Sequence, residues 1–596
     1  MFSIALLIVF FLLAYRLAPR EKASDAHVHG AGQIGLLAAV ALFGMDYFTS
    51  YFYATGELMS ALHPYGLQKY AYIGVAFIAL ANFAFGALYL YAIGVFNEGG
   101  GSYTASMRYL TPFLSLVAAV VLIEDYTLTI VVSALSGGDQ LLSILNLYGR
   151  NWAWHFMLGA GLAFVTWYLT IRGRGDSSFV GFVMLGVFVL LTATMAVGLF
   201  TALGRGVPPV AAEVVQHPTV RQALYHMLTA TMKGIVALSG LEAVSNGIQF
   251  FKHEDFALVR WGKEHAPRLK ALWAFYSGKS GIGRVVQTSF LFYGATTTLF
   301  LTYFSIHFNV FDGTLGRSLV GNLSFIGFTQ IPGGTFLFWV YQILAVALLA
   351  AASMTALQDA QATEWRDVAI GEIPEGIIYR DRRGTFTRSV TITFIAAVVI
   401  MLIVRGRTTV AVPFYGIGVF MPIAIMGFAV RKHILTHFTG RQRKWGAAAA
   451  GLAGSLSTFI FVSQIIGKWE EGGWIRLLSF TVLITTAHAL LLSPIGFRDP
   501  VQIHRIVREK ARVRGGMASI VEWQSLKMQE YRYRLLMGLA RFWVVFGVRR
   551  PAPPVPVPAG DYDHALHVND PTAPSILLPY LEPAVPLPAA ETDPVR

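Results

Sequence analysis

The chain alternates long apolar runs with short polar connections, and a helix that crosses a membrane needs about 20 mostly apolar residues. Twelve runs come close to that length: roughly residues 31–58, 68–96, 106–135, 151–171, 178–203, 225–250, 287–309, 331–356, 386–404, 409–430, 446–467 and 474–494. A further stretch, Met1 to Tyr15, has no basic residue ahead of its apolar part and no small-residue cleavage site, so it fits a secretory leader poorly. It either crosses as an extra N-terminal helix or lies in the interface. The pattern predicts an all-α integral membrane protein in three parts. Residues 1–30 form a hydrophobic segment and linker, 31–497 a transmembrane domain with twelve core helices, and 498–596 a cytoplasmic C-terminal region.

Basic residues in the connections set the orientation. With the segment before the first span inside, the inner connections carry 23 Lys and Arg and the outer ones nine. An even number of spans returns the tail to the cytoplasm, where its 13 basic residues widen the asymmetry. Residues 498–550 are basic and helix-prone, with an apolar end from Leu535 to Val548 suited to a membrane surface or a partner. From Pro551 onward 12 of 46 residues are proline, which excludes a regular helix or a central strand.

Composition narrows the class. The chain is 55% hydrophobic and 13% charged, about half the charged share of a soluble domain. A soluble enzyme and a disordered scaffold are both excluded. The net charge of +13 belongs with cytoplasmic loops of a membrane protein rather than with a nucleic acid polymer. With no cysteine there is no disulfide, thiolate metal site or cysteine nucleophile.

Ionisable residues inside spans are costly unless they face a polar cavity or a partner, so each is a functional candidate. Asp46 lies in a stretch of hydroxyls flanked by Gly44 and Gly56, and Glu242 lies in Ser239-Gly240-Leu241-Glu242. Both spans carry Gly-x-acid. They are the first and sixth, which open the two halves of a five-plus-five inverted repeat with its site at two helices broken near mid-membrane. In the third span Asp125, Thr129 and Ser133 recur every four residues and share one helix face. Hydroxyls at that spacing also bond back to their own helix, but this does not account for the Asp. Glu124 points elsewhere, either to a basic or neighbouring helix partner or into proton transfer. His155 and His488 read as structural.

Three carboxylates with few opposing cations favour a small cation, bound through oxygens of Asp46, Tyr53, Asp125, Thr129, Ser133, Ser239 and Glu242. Asp46 stands where it would repel the carboxylate of an amino acid. Two close carboxylates in a low-dielectric site do not both stay ionised, which gives a basis for proton coupling at Asp125 or Glu242.

At these residues the sequence resembles the amino acid-polyamine-organocation superfamily, and within it the KimA-type potassium:proton symporters, relatives of the KUP potassium uptake family. The resemblance runs through nearly all twelve spans. It is carried by GMDYFTSYFYATGEL (Gly44 to Leu58), HPYGLQKYAY (His63 to Tyr72), NEGGGSYTASMRYL (Asn97 to Leu110), DYTLTIVVSALSGGDQLLS (Asp125 to Ser143), LSGLEAVSNG (Leu238 to Gly247) and PFYGIGVF (Pro413 to Phe420). It implies a LeuT-like fold and potassium uptake driven by the proton gradient. The implied potassium ligands are Asp46 and Tyr53, then Asp125, Thr129 and Ser133, then Ser239 and Glu242, with Tyr415 on the tenth span; Asp125 and Glu242 are the implied proton-coupling residues. Ser239 stands where the family pattern has Thr. The resemblance further implies a bacterial, multi-pass plasma membrane protein that dimerises through its C-terminal region and needs no cofactor beyond the transported ions. Some members respond to cyclic di-AMP, although this tail carries no convincing nucleotide motif.

An amino acid or polyamine permease of the same fold is the alternative, weakened for amino acids by the acidic core but not for polyamines. A membrane-embedded enzyme lacks support, since neither a His cluster at metal spacing nor a phosphate-cradling loop occurs. Ser353 and Thr355 on the eighth span either assist sodium binding or pack as ordinary hydroxyls.

Overall fold

The computed structural model describes residues 34–149, 151–172, 178–211, 218–370, 386–493, 498–510 and 516–543, with Gly376, Pro554 and Leu577. The expectations for Met1 to Tyr15 and for the proline-rich end of the tail lie outside the described residues. Helices account for nearly all of the rest, and one parallel bridge, Ile34 to Phe251, is the only β pairing among the described residues.

The elements are α1 (Leu36–Phe43), α2 (Met45–Thr49), α3 (Tyr51–Leu62), α4 (Ala71–Val95), α5 (Gly101–Tyr109), α6 (Pro112–Ile144), α7 (Trp152–Ile171), α8 (Ser178–Gly204), α9 (Val220–Gly234) and α10 (Ala243–Gly247). They continue with α11 (Ala257–His265), α12 (Lys270–Phe275), α13 (Gly278–Phe308), α14 (Leu319–Thr329), α15 (Gly334–Ile370), α16 (Thr387–Ile403), α17 (Thr408–His437), α18 (Gly440–Gly467), α19 (Trp474–Leu492), α20 (Pro500–His504) and α21 (Gly516–Trp543). Among the described residues nine helical stretches are long and apolar enough to cross a membrane, or ten when the bent pair beginning at Leu36 counts as one span. The predicted runs 287–309 and 386–404 lie on α13 and on the shorter apolar helix α16.

Local chemistry fixes several starts. Thr111 caps α6 through Leu114 N–H, with Pro112 in the first turn where a missing N–H costs nothing. Thr219 and Gln222 form a reciprocal capping box on α9. Asn309 ends α13 in the left-handed conformation.

The chain divides into two compact units. The first comprises Met1–Glu364 with Tyr379–Ile484, and the second Trp365–Ile378 with Thr485–Arg596. In the first, α17 lies against α6 and α18, α13 against α4, and α9 against α3. Large side chains such as Tyr89, Trp167, Tyr341 and Tyr415 fill this interior. In the second, Arg508 pairs with the buried Glu522 on α21 at 2.9 Å, and His488 Nε2 lies 3.2 Å from Tyr531 Oη.

Candidate cation site

The two expected helix breaks are both present but differ in kind. Between α1 and α2 the first span bends by 49° at Gly44, whose backbone stays right-handed (φ −87°, ψ −22°). Gly44 itself stays bonded on both sides, its N–H donating to Val40 O at 3.0 Å and its carbonyl accepting from Phe48 N–H at 2.8 Å, so this span bends without passing through an extended residue. The sixth span does unwind. After α9 a tight 3-10 turn, Ile235–Leu238, gives way to extended Ser239 (φ −61°, ψ 149°) and left-handed Gly240 (φ +81°) before α10 resumes. A Cβ on Gly240 would stand 2.9 Å from Tyr47 N and 3.0 Å from Asp46 Oδ2, so the bare glycine lets the two broken spans meet at Asp46.

Hydroxyls join the spans beside that meeting point. Ser50 and Ser239 lie Oγ to Oγ at 2.8 Å, Tyr53 Oη donates to Ser50 Oγ at 3.0 Å, and Tyr53 Oη lies 3.5 Å from Ser239 Oγ. From α6, Thr129 Oγ1 lies 2.9 Å from Tyr415 Oη on α17. Asp46, Asp125 and Glu242 are all buried, and Glu242 Oε2 accepts from Tyr89 Oη at 3.4 Å. Asp46 Oδ1, Asp125 Oδ1 and Ser133 Oγ are buried without a hydrogen-bond partner. A buried oxygen left unsatisfied costs about 1–3 kcal/mol, so three in one region require a physical reason.

The predicted residues therefore separate into a joined group and flanking members. Tyr53, Ser239, Thr129 and Tyr415 are linked by hydroxyl contacts at the Asp46 face. Glu242 interacts electrostatically with Asp125 and Asp46 without bonding to the hydroxyls. Ser133 stands one turn beyond Thr129, and its Oγ makes no hydrogen bond to the others. No three His, Cys, Asp or Glu side chains converge as metal ligands among the described residues, so these carboxylates do not form one compact polyanionic cage.

Other assignments sharpen. Glu124 accepts an ion pair from Arg476 Nη1 at 2.7 Å and a hydrogen bond from Ser479 Oγ at 2.6 Å, so it serves as the partner of a basic group. The expectation of few opposing cations needs correction, because Arg476, counted with the outer connections, is buried at 3% exposure. Ser353 and Thr355 bond back to Leu349 O and Ala351 O of their own helix. His155 is held by Asp139 Oδ1 at 2.6 Å and by Gly149 N–H at 3.1 Å.

Asp359 was missed. It is buried on α15, in electrostatic contact with Asp46 and Glu242, three residues beyond the predicted end of the eighth span. The helical run of Gln358 to Thr363 past the apolar stretch was the available signal.

A bundle of helices long and apolar enough to cross a membrane, with buried oxygens gathered where one span bends and another unwinds, defines an integral membrane protein. No family model matches the chain. It is 24% identical over 415 residues to the potassium transporter KimA of Bacillus subtilis (strain 168), an alignment covering 68% of this chain and 62% of that protein's length. That likeness bears out the resemblance to KimA-type transporters read from the motifs.

Proposed function

We propose that the protein takes up potassium by alternating access, coupled to inward movement of protons. The observation that carries this reading is the meeting of Asp46, Ser50, Tyr53 and Ser239 at the unwound sixth span, with partnerless carboxylate oxygens on Asp46 and Asp125. Likeness to a potassium transporter supports the choice of ion. In this reading Asp46, Tyr53, Asp125, Thr129, Ser133, Ser239, Glu242 and Tyr415 line the ion path. Carboxylates that interact while buried need a cation or a proton to offset their charge, and Asp125 and Glu242 are in that position. A proton taken up outside and lost inside then links the two movements.

The test is rubidium uptake into proteoliposomes of the full chain, with and without an inward proton gradient, against potassium, sodium, amino acids and polyamines as competitors. Uptake stimulated by the gradient and competed by potassium alone is expected. A preparation that moves a polyamine or an amino acid but not rubidium would overturn the reading.

A further inference from the structure

Arg476 enters the bundle from the second residue after the start of α19 and is held on one side only. Its Nη1 pairs with Glu124, and its guanidinium carbon lies 4.5 Å from the centre of the Phe480 ring. Its Nη2 and Nε are buried without partners. Across the bare backbone of Gly418, on α17, lies Asp125 Oδ1, itself partnerless. A Cβ on Gly418 would stand 2.4 Å from Arg476 Nη2 and 2.7 Å from Asp125 Oδ1, so the two atoms are no further apart than those lengths laid end to end.

One free donor of a permanent cation, Nη2, thus stands across the glycine from a free carboxylate oxygen. A guanidinium cannot shed its charge, and its planar fork suits carboxylates. An incoming cation at Asp125 must share the carboxylate with this fixed charge, which weakens its hold. Once that cation has left, Nη2 is a free buried donor placed to approach Oδ1 and offset its charge. Pairing with Glu124 keeps the guanidinium anchored in both situations.

We infer that Arg476 is a tethered counter-cation for the transport site, occupying Asp125 when the transported monovalent cation is absent and so allowing the empty carrier to return. This rests on the reading of Asp125 as a cation ligand. Arg476 is accordingly a positioning residue that sets affinity and the return step, and Gly418 is the opening through which it acts. A sequence-based count of basic residues placed it in an outer loop, and only the fold reveals it beside the acids.

The test uses the full chain and three readouts: equilibrium binding of rubidium in detergent, exchange of internal potassium for external rubidium, and net rubidium uptake. Removing Arg476 alone leaves the partly buried Glu124 without its cation, so the informative variant is the double change Glu124→Gln with Arg476→Gln. It is expected to bind rubidium several-fold more tightly and to exchange normally. Its net uptake falls by about tenfold, since exchange does not require the empty carrier to return. Arg476→Lys, which keeps the charge, is expected to retain most net uptake. Gly418→Ala, which wedges a methyl between the two groups without changing charge, should reproduce the split between exchange and net uptake. Unchanged affinity and net uptake in the double variant would overturn the inference, as would weaker binding. Failure of the unmodified protein to bind or move rubidium would instead defeat the cation reading itself.

Discussion

Gly240 concentrates two demands on one residue. Its left-handed backbone disfavours any side chain, and its Cα faces Asp46 Oδ2 and Tyr47 N within reach of a methyl group. Gly240→Ala therefore costs about 1–3 kcal/mol from backbone strain, with a clash added. A lowered melting temperature together with reduced rubidium uptake is the expected result. Asp125→Asn separates charge from shape: it keeps the side-chain volume, so the protein should reach the membrane in normal amount while rubidium uptake falls at least about tenfold. Near-normal transport would remove Asp125 from the site. Asp125 was legible because carboxylates are rare in apolar runs, and Gly240 because it stands two residues before such a carboxylate. The partner of Glu124 was not, because nothing local links positions 124 and 476.

At the scale of elements, apolar length predicted where helices lie better than where they end. Helix α15 continues to Ile370, past a predicted end at 356, because polar residues extend a helix as readily as apolar ones once it has left the hydrocarbon. The same Gly-x-acid pattern produced a bend at Gly44 and an unwound stretch at Gly240. Pattern alone does not choose between them, since the left-handed turn at Gly240 depends on the span packed against it. The connection between α10 and α13 offers an acid test. Burial alone would raise the Asp255 carboxyl, but bonds from Lys263, from Ser277 Oγ at 2.7 Å and from Gly278 N–H at 2.7 Å lower it from 3.8 to about 2. Because the folded value is the lower one, its stabilisation is fully present above the unfolded value and is lost as the pH falls through about 2. Asp255→Asn should therefore melt below the unmodified protein near neutral pH, with the gap narrowing as the pH drops from about 5 towards 2. A gap that stays constant with pH would show that the carboxylate charge is not what stabilises this connection.

The distribution of charge over the whole molecule bears on which way it faces. Of the nine basic residues assigned to outer connections, Arg317, Lys468 and Arg476 are buried, and Arg317 stacks on Phe325 at 4.0 Å. Discounting these three from the expected outer set, and the buried Lys279 from the expected inner set, widens the expected contrast between the two sets. Buried basic residues are invisible to such a count, which assumes that every Lys or Arg in or beside a connection meets solvent. Because the chain has no cysteine, the orientation can be read from single introduced thiols. Leu145→Cys lies at an exposed position between α6 and α7, and Lys270→Cys at an exposed position between α10 and α13. In intact cells a membrane-impermeant thiol reagent is expected to label the first at once and the second only after permeabilisation. The reverse pattern would invert the molecule and place the exposed basic connections outside. Labelling of both in intact cells would mean that an odd number of crossings does not separate them, and the inverted-repeat arrangement of the first and sixth spans would fall with it.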